Sequence, residues 1–165
     1  MPRASEEIPQ LAVAGDSAGG NLAAVVCLKA RKNSKPKIAL QCLIYPVADL
    51  SSNMRKYSGV KYGPSMEEMV WYTDQYLSNS ADALNPLVSP LLADLRDVPP
   101  AVMITAGDDP LRKQDLEYLA KLERAGVKAT WYDYPAMVHG FFTLPGYFPS
   151  GEEAIEKLAK TIRVL

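Results

Sequence analysis

The stretch that decides the fold reads QLAVAGDSAGG and runs from residue 10 to residue 20. It opens with a short apolar run, residues 10–14, and a glycine follows at once, which is typical of a buried strand that ends in a turn. Residues 18–32 are rich in Ala, Leu, Val and Lys and contain no proline, so their composition favours a helix. The stretch therefore predicts a strand, a tight turn and a helix in immediate succession.

The rest of the chain repeats this alternation. Nearly continuous apolar runs predict strands at 38–45, 101–106 and 129–134, and such runs suit strands that are covered on both faces, as in a parallel sheet. The order β-α-β-(insertion)-β-α-β-α predicts an α/β fold with a mostly parallel sheet of about four strands and flanking helices. A length of 165 residues predicts one domain, 1–165.

Capping signals locate the remaining helices. Residues 49–100 form a long insertion between strands, in which Ser65 and Glu68 have capping-box spacing and predict a helix that ends near residue 77. Another helix is predicted over 111–125, with Gly126 after its end. The last helix begins at a second capping-box pattern, Ser150 with Glu153. Its expected apolar stripe comprises Ile155, Leu158, Ala159 and Ile162.

Composition and charge exclude several classes of protein. Eighteen Lys and Arg against 19 Asp and Glu argue against a nucleic-acid binder that depends on a basic surface. A 48% hydrophobic and 22% charged chain is ordinary for a globular protein and excludes disorder over most of its length. No apolar run approaches the roughly 20 residues of a membrane helix, and the N-terminus has no secretory signal, so we expect a cytoplasmic protein. Cys27 and Cys42 are expected to be buried, reduced thiols.

The turn after the first strand carries the sharpest chemical signal. Residues 15–19, GDSAG, match the Gly-x-Ser-x-Gly pattern, which sets a serine hydroxyl on a strained strand-to-helix turn. The small flanking residues allow the tight turn, and the helix N-terminus stabilises negative charge. A turn that merely contains serine is the plainer interpretation, but the strand–turn–helix context favours Ser17 as a nucleophile. A phosphate loop is excluded because the Lys-Ser/Thr ending is missing and Asp16 would repel an anion.

A nucleophilic serine needs a base, and the chain has a single histidine, His139. It follows the last predicted strand, at the sheet edge where sites form, although a lone histidine is more often a surface loop residue. A carboxylate should then orient the imidazole. Spacing favours Asp109 only slightly over Asp108 and Asp133. An aspartate before Pro110 is also a common helix cap, but the order Ser, Asp, His is that of α/β-hydrolases.

Four motifs together resemble those of the hormone-sensitive-lipase-like esterases, a branch of the α/β-hydrolase superfamily. They are GDSAGGNLA at 15–23, NPLVSPL at 85–91, DPLR at 109–112 and HGF at 139–141. The resemblance implies Ser17 as nucleophile, His139 as general acid/base and Asp109, in preference to Asp108, as the triad acid. It implies a serine carboxylic ester hydrolase, esterase-like or lipase-like, that acts on a small acyl ester through an acyl-enzyme. No metal or organic cofactor is implied.

The chain also departs from the family pattern. Family members begin well upstream, where a His-Gly-Gly-Gly loop supplies most oxyanion-hole N–H groups, so the Ala18 N–H is the one donor that the resemblance implies here. Loss of one donor can cost ~10²–10³ in rate. We expect a truncated domain whose nucleophile strand has an unpaired outer edge, and hence a homo-oligomer or pairing with a missing N-terminal half. The alternative function is a non-catalytic or half-enzyme fragment that acts through association.

The substrate pocket is the least defined part of the site. Met137 and Phe141 are candidate pocket residues because they lie beside His139 in the sequence. Three aromatic residues of the predicted insertion helix are further candidates, although rings at helical spacing more often serve ordinary packing: Trp71, Tyr72 and Tyr76.

Overall fold

A computed structural model describes residues 10–33, 36–51 and 61–165. The strands are β1 (Leu11–Asp16), β2 (Ile38–Ile44), β3 (Ala101–Asp108) and β4 (Ala129–Val138). The α-helices are α1 (Ser17–Asn33), α2 (Met66–Tyr76), α3 (Arg112–Arg124) and α4 (Pro149–Arg163). Short 3-10 helices occupy Ser80–Leu84, Pro90–Leu92 and Phe141–Thr143. The first nine residues, where the sequence predicts no secretory signal, lie outside the described residues.

The four strands form one sheet in the order β1-β2-β3-β4, and every neighbouring pair is parallel. This confirms the predicted fold class and the predicted order of elements. Because the strands run in the same direction, their carboxyl ends lie at a single edge of the sheet. The loops that follow the strands are therefore brought to one side of the molecule.

Helices cover both faces of the sheet. On one face, α1 and α3 bury Leu28 and Tyr118 against Leu43 and Met103 of the central strands. On the other face, α4 joins a second cluster through Ala154 and Leu158, together with Ile104 of β3. Burial on both faces explains why the strands are apolar runs without alternation, as in other parallel sheets.

Two of the predicted helix boundaries are confirmed by hydrogen bonds. At the start of α2, the Glu68 N–H donates to Ser65 Oγ at 3.2 Å and the Ser65 N–H donates to the Glu68 carboxylate at 2.7 Å. At the end of α3, Gly126 adopts a φ of 77° and the Val127 N–H donates to the Leu122 carbonyl at 3.0 Å. This left-handed ending is the one that glycine favours.

The predicted start of α4 is wrong. The helix begins at Pro149, with Phe148 before it and no side-chain cap, so Ser150 and Glu153 form no capping box. A proline at the first helical position has a preset φ and lacks the N–H that a cap would satisfy, so the helix can begin there without Ser150 as its cap. The predicted stripe is correct at Leu158, whereas Ile155 and Ile162 are 38% and 37% exposed. The buried residues of α4 are Gly151, Ala154 and Leu158.

Cys27 and Cys42 are buried and unpaired, as the sequence predicts. Burial raises the pKa of Cys27 to about 12 and that of Cys42 to about 11. Both thiols therefore stay protonated, so neither is a nucleophile of the kind that needs a thiolate. Among the described residues, no helix has the length and apolar character needed to span a membrane.

Candidate active site

Ser17 lies directly after β1 and has a φ of 51°, in the left-handed region that residues other than glycine rarely adopt. The predicted strained turn is therefore present. Its tightness requires two glycines. A Cβ at Gly15 would overlap the carbonyl of Gly19, and a Cβ at Gly20 would lie 2.7 Å from the Cβ of Pro46.

His139 follows β4 and connects two distant parts of the sequence. Its Nε2 lies 3.0 Å from Ser17 Oγ, across a sequence separation of 122 residues. Its Nδ1 lies 2.8 Å from Asp109 Oδ2. The imidazole thus contacts a hydroxyl through one nitrogen and a carboxylate through the other.

The carboxylate of Asp109 is fully buried and serves two partners. Its Oδ1 accepts the N–H of Leu111 at 2.7 Å, just before α3, while its Oδ2 faces His139 Nδ1. Asp109 therefore closes the turn that precedes α3 and also faces His139, but it is not the N-cap of α3, because the helix begins at Arg112 with Leu111 before it. A carboxylate at Nδ1 holds the ring proton there, which leaves Nε2 as an acceptor towards Ser17.

The first rival acid, Asp108, has another partner. Its Oδ1 accepts the N–H of Lys61 at 3.0 Å, at the start of the segment that precedes α2. In this segment, a Cβ at Gly63 would lie 3.4 Å from the Cβ of His139 and 3.4 Å from Pro110. Asp108 therefore fastens a backbone segment beside the histidine, and no hydrogen bond joins it to the imidazole.

The second rival acid, Asp133, is paired with Arg112. The two Nη atoms of Arg112 lie 2.6 and 2.9 Å from the two carboxylate oxygens, and Thr105 Oγ donates to Asp133 at 2.9 Å. The hydrogen bonds from Arg112 lower the pKa of Asp133, and this ion pair raises the pKa of Arg112. Of the three aspartates that spacing left open, the structure brings only Asp109 to His139.

Two buried amides hold the loop after β2, and the sequence analysis assigned them no role. Asn21 of α1 donates to the Val47 carbonyl at 2.7 Å. Gln114 of α3 accepts the N–H groups of Ala48 and Asp49 at 2.6 and 2.7 Å. A polar residue at a helix position that faces the sheet is the sequence signal for such anchors, because buried amides need hydrogen-bond partners.

The candidate pocket residues divide between the core and the exposed side of α2. Phe141 is completely buried, with its ring 5.0 Å from Tyr134 and 5.9 Å from Tyr45. Met137 is partly buried and packs on the same cluster. Three rings of α2 are more than half exposed: Trp71, Tyr72 and Tyr76. The structure therefore does not gather these five residues into one pocket.

A fourth carboxyl, that of Asp115, lies close to Asp109. Asp115 of α3 is completely buried, and neither of its oxygens has a hydrogen-bond partner. Burial, and secondarily the charge of Asp109, raise the pKa of Asp115 well above its usual range, while Arg112 opposes the shift. Burial thus favours the neutral form of Asp115, whereas the Asp109 carboxylate faces His139. In the described parts of the chain, no group of three His, Cys, Asp or Glu side chains could hold a metal ion.

The chain has relatives among known proteins. A family model described as the alpha/beta hydrolase fold matches residues 4–143. The carboxylic ester hydrolase LipN of Mycobacterium tuberculosis is 38% identical over 143 residues, which cover 82% of this chain and 38% of the relative. The ethyl acetate hydrolase of Pseudomonas putida is 35% identical, over 94% of this chain and 49% of the relative.

Two solved structures also resemble this chain over about half of their own length. A hyperthermophilic esterase from the archaeon Pyrobaculum calidifontis superposes with a TM-score of 0.87 at 40% identity, over 93% of this chain and 52% of that chain. The carboxylesterase EstE1, from a metagenomic library, gives a TM-score of 0.87 at 39% identity, over 93% and 54%. The chain spans about half the length of these structures, and half or less of the two curated relatives. It belongs to the α/β-hydrolase fold family and, within it, to the hormone-sensitive-lipase-like esterases whose motifs it carries.

Proposed function

We propose that residues 1–165 form a single α/β-hydrolase domain with the triad of a serine carboxylic ester hydrolase. The nucleophile is Ser17, the general acid/base is His139, and Asp109 orients the imidazole. The observation that carries this assignment is the 3.0 Å distance between Ser17 Oγ and His139 Nε2, with Asp109 at 2.8 Å on the opposite nitrogen. Two relatives that match more than 80% of the chain are named as ester hydrolases, which supports the same chemistry.

The reaction divides into acylation and deacylation. Ser17 Oγ attacks the ester carbonyl carbon as its proton passes to His139 Nε2, and the imidazolium is stabilised by the Asp109 carboxylate. Collapse of the tetrahedral intermediate breaks the bond to the alcohol oxygen, which takes the proton from Nε2. Water then attacks the acyl-enzyme with His139 as base, and this step releases the acid and restores Ser17.

The developing oxyanion needs N–H donors. The backbone N–H of Ala18 follows the nucleophile at the start of α1, where the unpaired N–H groups and the helix dipole favour negative charge. We assign this N–H to the oxyanion hole. Loss of one such donor typically costs ~10²–10³ in rate.

Small acyl esters are the substrate class to test first. A relative named for ethyl acetate supports a short acyl group. The assay follows hydrolysis of p-nitrophenyl acetate and covalent labelling by a fluorophosphonate, in the parent chain and in Ser17→Ala. Labelling that disappears in Ser17→Ala is the expected result. If the parent neither labels nor turns over the ester, the alternative of a half-enzyme or non-catalytic fragment is correct for the isolated chain.

We also propose that the outer side of β1 and α1 is an association surface. Among the described strands, β1 pairs only with β2, so its other edge is open. Leu11 of β1 is 43% exposed, and Leu22 and Val26 of α1 are 53% and 43% exposed, one helical turn apart. Open edges and apolar surface of this kind favour a second copy of the chain or further polypeptide.

Sedimentation velocity at micromolar concentration tests this association. We expect a species larger than a monomer that dissociates when Leu22 and Val26 are both replaced by lysine. Glu152→Lys, at an exposed position of α4 on the opposite face of the sheet, is the matched control and should leave the association unchanged. A parent chain that sediments only as a monomer rules out association between copies.

A further inference from the structure

Each of the four strands ends one residue before a residue of the site. β1, β3 and β4 are followed by Ser17, Asp109 and His139, which the proposed triad uses. β2 is followed by Tyr45, which has no role in that mechanism. Tyr45 therefore occupies, directly after β2, the position that a proposed triad residue occupies after each of the other three strands.

The backbone of Tyr45 is strained and firmly anchored. Its φ is 33°, in the left-handed region that a residue other than glycine keeps only where its surroundings enforce it. Here the Tyr45 N–H donates to the carbonyl of Ile104 on β3 at 2.7 Å. Two residues further on, the Val47 N–H donates to the carbonyl of Ser17 at 3.0 Å. The turn that carries Tyr45 is thus attached to the nucleophile itself.

The side chain of Tyr45 extends the connection to the histidine. It is completely buried, and its ring centroid lies 4.6 Å from that of His139, with the planes inclined at 53°. Its hydroxyl lies near the backbone of Phe142 and the side chain of Thr143, and it makes no hydrogen bond of ordinary geometry with the described residues. Burial raises the pKa of Tyr45, so the phenol stays neutral and cannot act as a base. What Tyr45 offers His139 is therefore the contact between the rings.

We propose that Tyr45 is a positioning residue that holds the imidazole plane of His139 in line with both Ser17 and Asp109. The two hydrogen bonds restrain the ring at Nδ1 and Nε2, but they leave it free to rock about the line that joins these atoms. A bulky ring packed against the imidazole removes that motion. The inference rests on the proposed function, in which a small misplacement of the base costs rate.

The kinetic test compares three single variants. Tyr45→Leu keeps apolar volume but removes the ring contact, and we expect kcat to fall about 10-fold to 100-fold while KM changes by less than about threefold. Tyr45→Phe keeps the ring and should retain kcat within about threefold of the parent. Tyr134→Leu is the matched control, since it removes another buried tyrosine that contacts Phe141, and no contact between its ring and that of His139 is found. Tyr134→Leu should lower the free energy of unfolding and keep kcat within about threefold of the parent.

A spectroscopic test does not depend on activity. His139 is the only histidine, so a chain labelled with ¹⁵N-histidine gives one imidazole spectrum. Exchange of the Nδ1 proton with water should be about tenfold faster or more in Tyr45→Leu than in the parent, with no such change in Tyr45→Phe or Tyr134→Leu. If Tyr45→Leu does not fold, Tyr45→Met replaces it, because methionine fills irregular space.

The outcomes separate the two proposals. A parent that neither labels nor turns over ester contradicts the proposed function, while the exchange measurement still decides the role of Tyr45. The positioning role is overturned if a folded Tyr45→Leu or Tyr45→Met chain keeps the parent exchange rate. It is equally overturned if Tyr134→Leu speeds exchange as much, because the effect would then be a general loss of packing.

Discussion

Arg112 and Asp133 form a two-pronged ion pair that joins the first turn of α3 to β4, with N–O distances of 2.6 and 2.9 Å. Arg112 lies three residues after Asp109, and Asp133 lies six residues before His139. The same guanidinium also donates to the carbonyl of Ala106 at 3.1 Å. The ion pair therefore connects the start of α3, which follows Asp109, to β4, which ends next to His139.

This ion pair should contribute measurably to stability. Its side chains are 25% and 28% exposed, so we expect a coupling of about 1 kcal/mol in a double-mutant cycle of Arg112→Ala and Asp133→Ala, read from urea unfolding. The control is the cycle at Arg96 and Asp94, whose side chains are 75% and 51% exposed. No measurable coupling is expected there. Equal coupling at the two pairs would contradict the argument from burial.

The buried carboxyl of Asp115 should make stability depend on pH. Its folded-state pKa is raised above the usual 3.8 by burial and by Asp109, so the folded chain holds this proton more tightly than the unfolded chain. Its stabilising contribution is complete below the unfolded pKa and is lost as pH rises towards the folded pKa. We expect Asp115→Asn to remove a slope of up to about 1.4 kcal/mol per pH unit over that range.

The measurement for Asp115 is the free energy of urea unfolding from pH 4 to pH 8. The control is Glu152→Gln, which removes an exposed carboxyl from α4. The expected result is a flatter profile in Asp115→Asn alone. Parallel profiles for the parent and Asp115→Asn would show that Asp115 is ionised in the folded chain.

The strain at Ser17 should appear as a difference between two inactive variants. Ser17→Ala and Ser17→Gly both remove the hydroxyl and its contact with His139, but only glycine adopts a φ of 51° without strain. We expect Ser17→Gly to be more stable than Ser17→Ala by about 1 kcal/mol, after the greater freedom of glycine in the unfolded chain is included. Chemical unfolding measures both. Greater stability of Ser17→Ala would mean that the turn carries no strain.

The two outer glycines of the motif should differ sharply. A Cβ at Gly15 overlaps the Gly19 carbonyl, so Gly15→Ala should cost about 3 kcal/mol or more, or prevent folding. A Cβ at Gly19 meets nothing nearer than Asp16 Oδ1 at 3.8 Å, so Gly19→Ala should change stability by no more than about 1 kcal/mol. Unfolding midpoints compare the two. A Gly15→Ala chain as stable as the parent would contradict the elbow geometry.

Local sequence patterns predicted the elements well because their causes are local. The apolar run at 38–45 corresponds to β2, and the spacing of Ser65 and Glu68 forms the capping box of α2. The same spacing at Ser150 and Glu153 gave a wrong prediction, because α4 already begins one residue earlier, at Pro149. A cap pattern is therefore decisive only where no stronger signal lies within a residue or two.

Contacts between elements could not be predicted in the same way. Arg112 and Asp133 are 21 residues apart, and nothing in their spacing distinguishes an ion pair from two solvated charges. Asp115 lies one helical turn after Leu111 and has no local signal that marks a buried, unpartnered carboxyl. In the sequence, Tyr45 is the last residue of an apolar run, and no local signal indicates its contact with His139.

Local patterns in the sequence predict the strand–turn–helix that displays Ser17, and composition leaves one histidine as its candidate base. Spacing left Asp109, Asp108 and Asp133 open and the family resemblance favoured Asp109; that the Asp109 carboxylate faces the histidine is shown by the fold alone. The physical reason is that the three aspartates have the same side-chain chemistry. They differ only in where their carboxylates lie after β3 and β4 have paired in parallel. That pairing aligns the ends of strands far apart in sequence, and no local pattern carries the resulting distances.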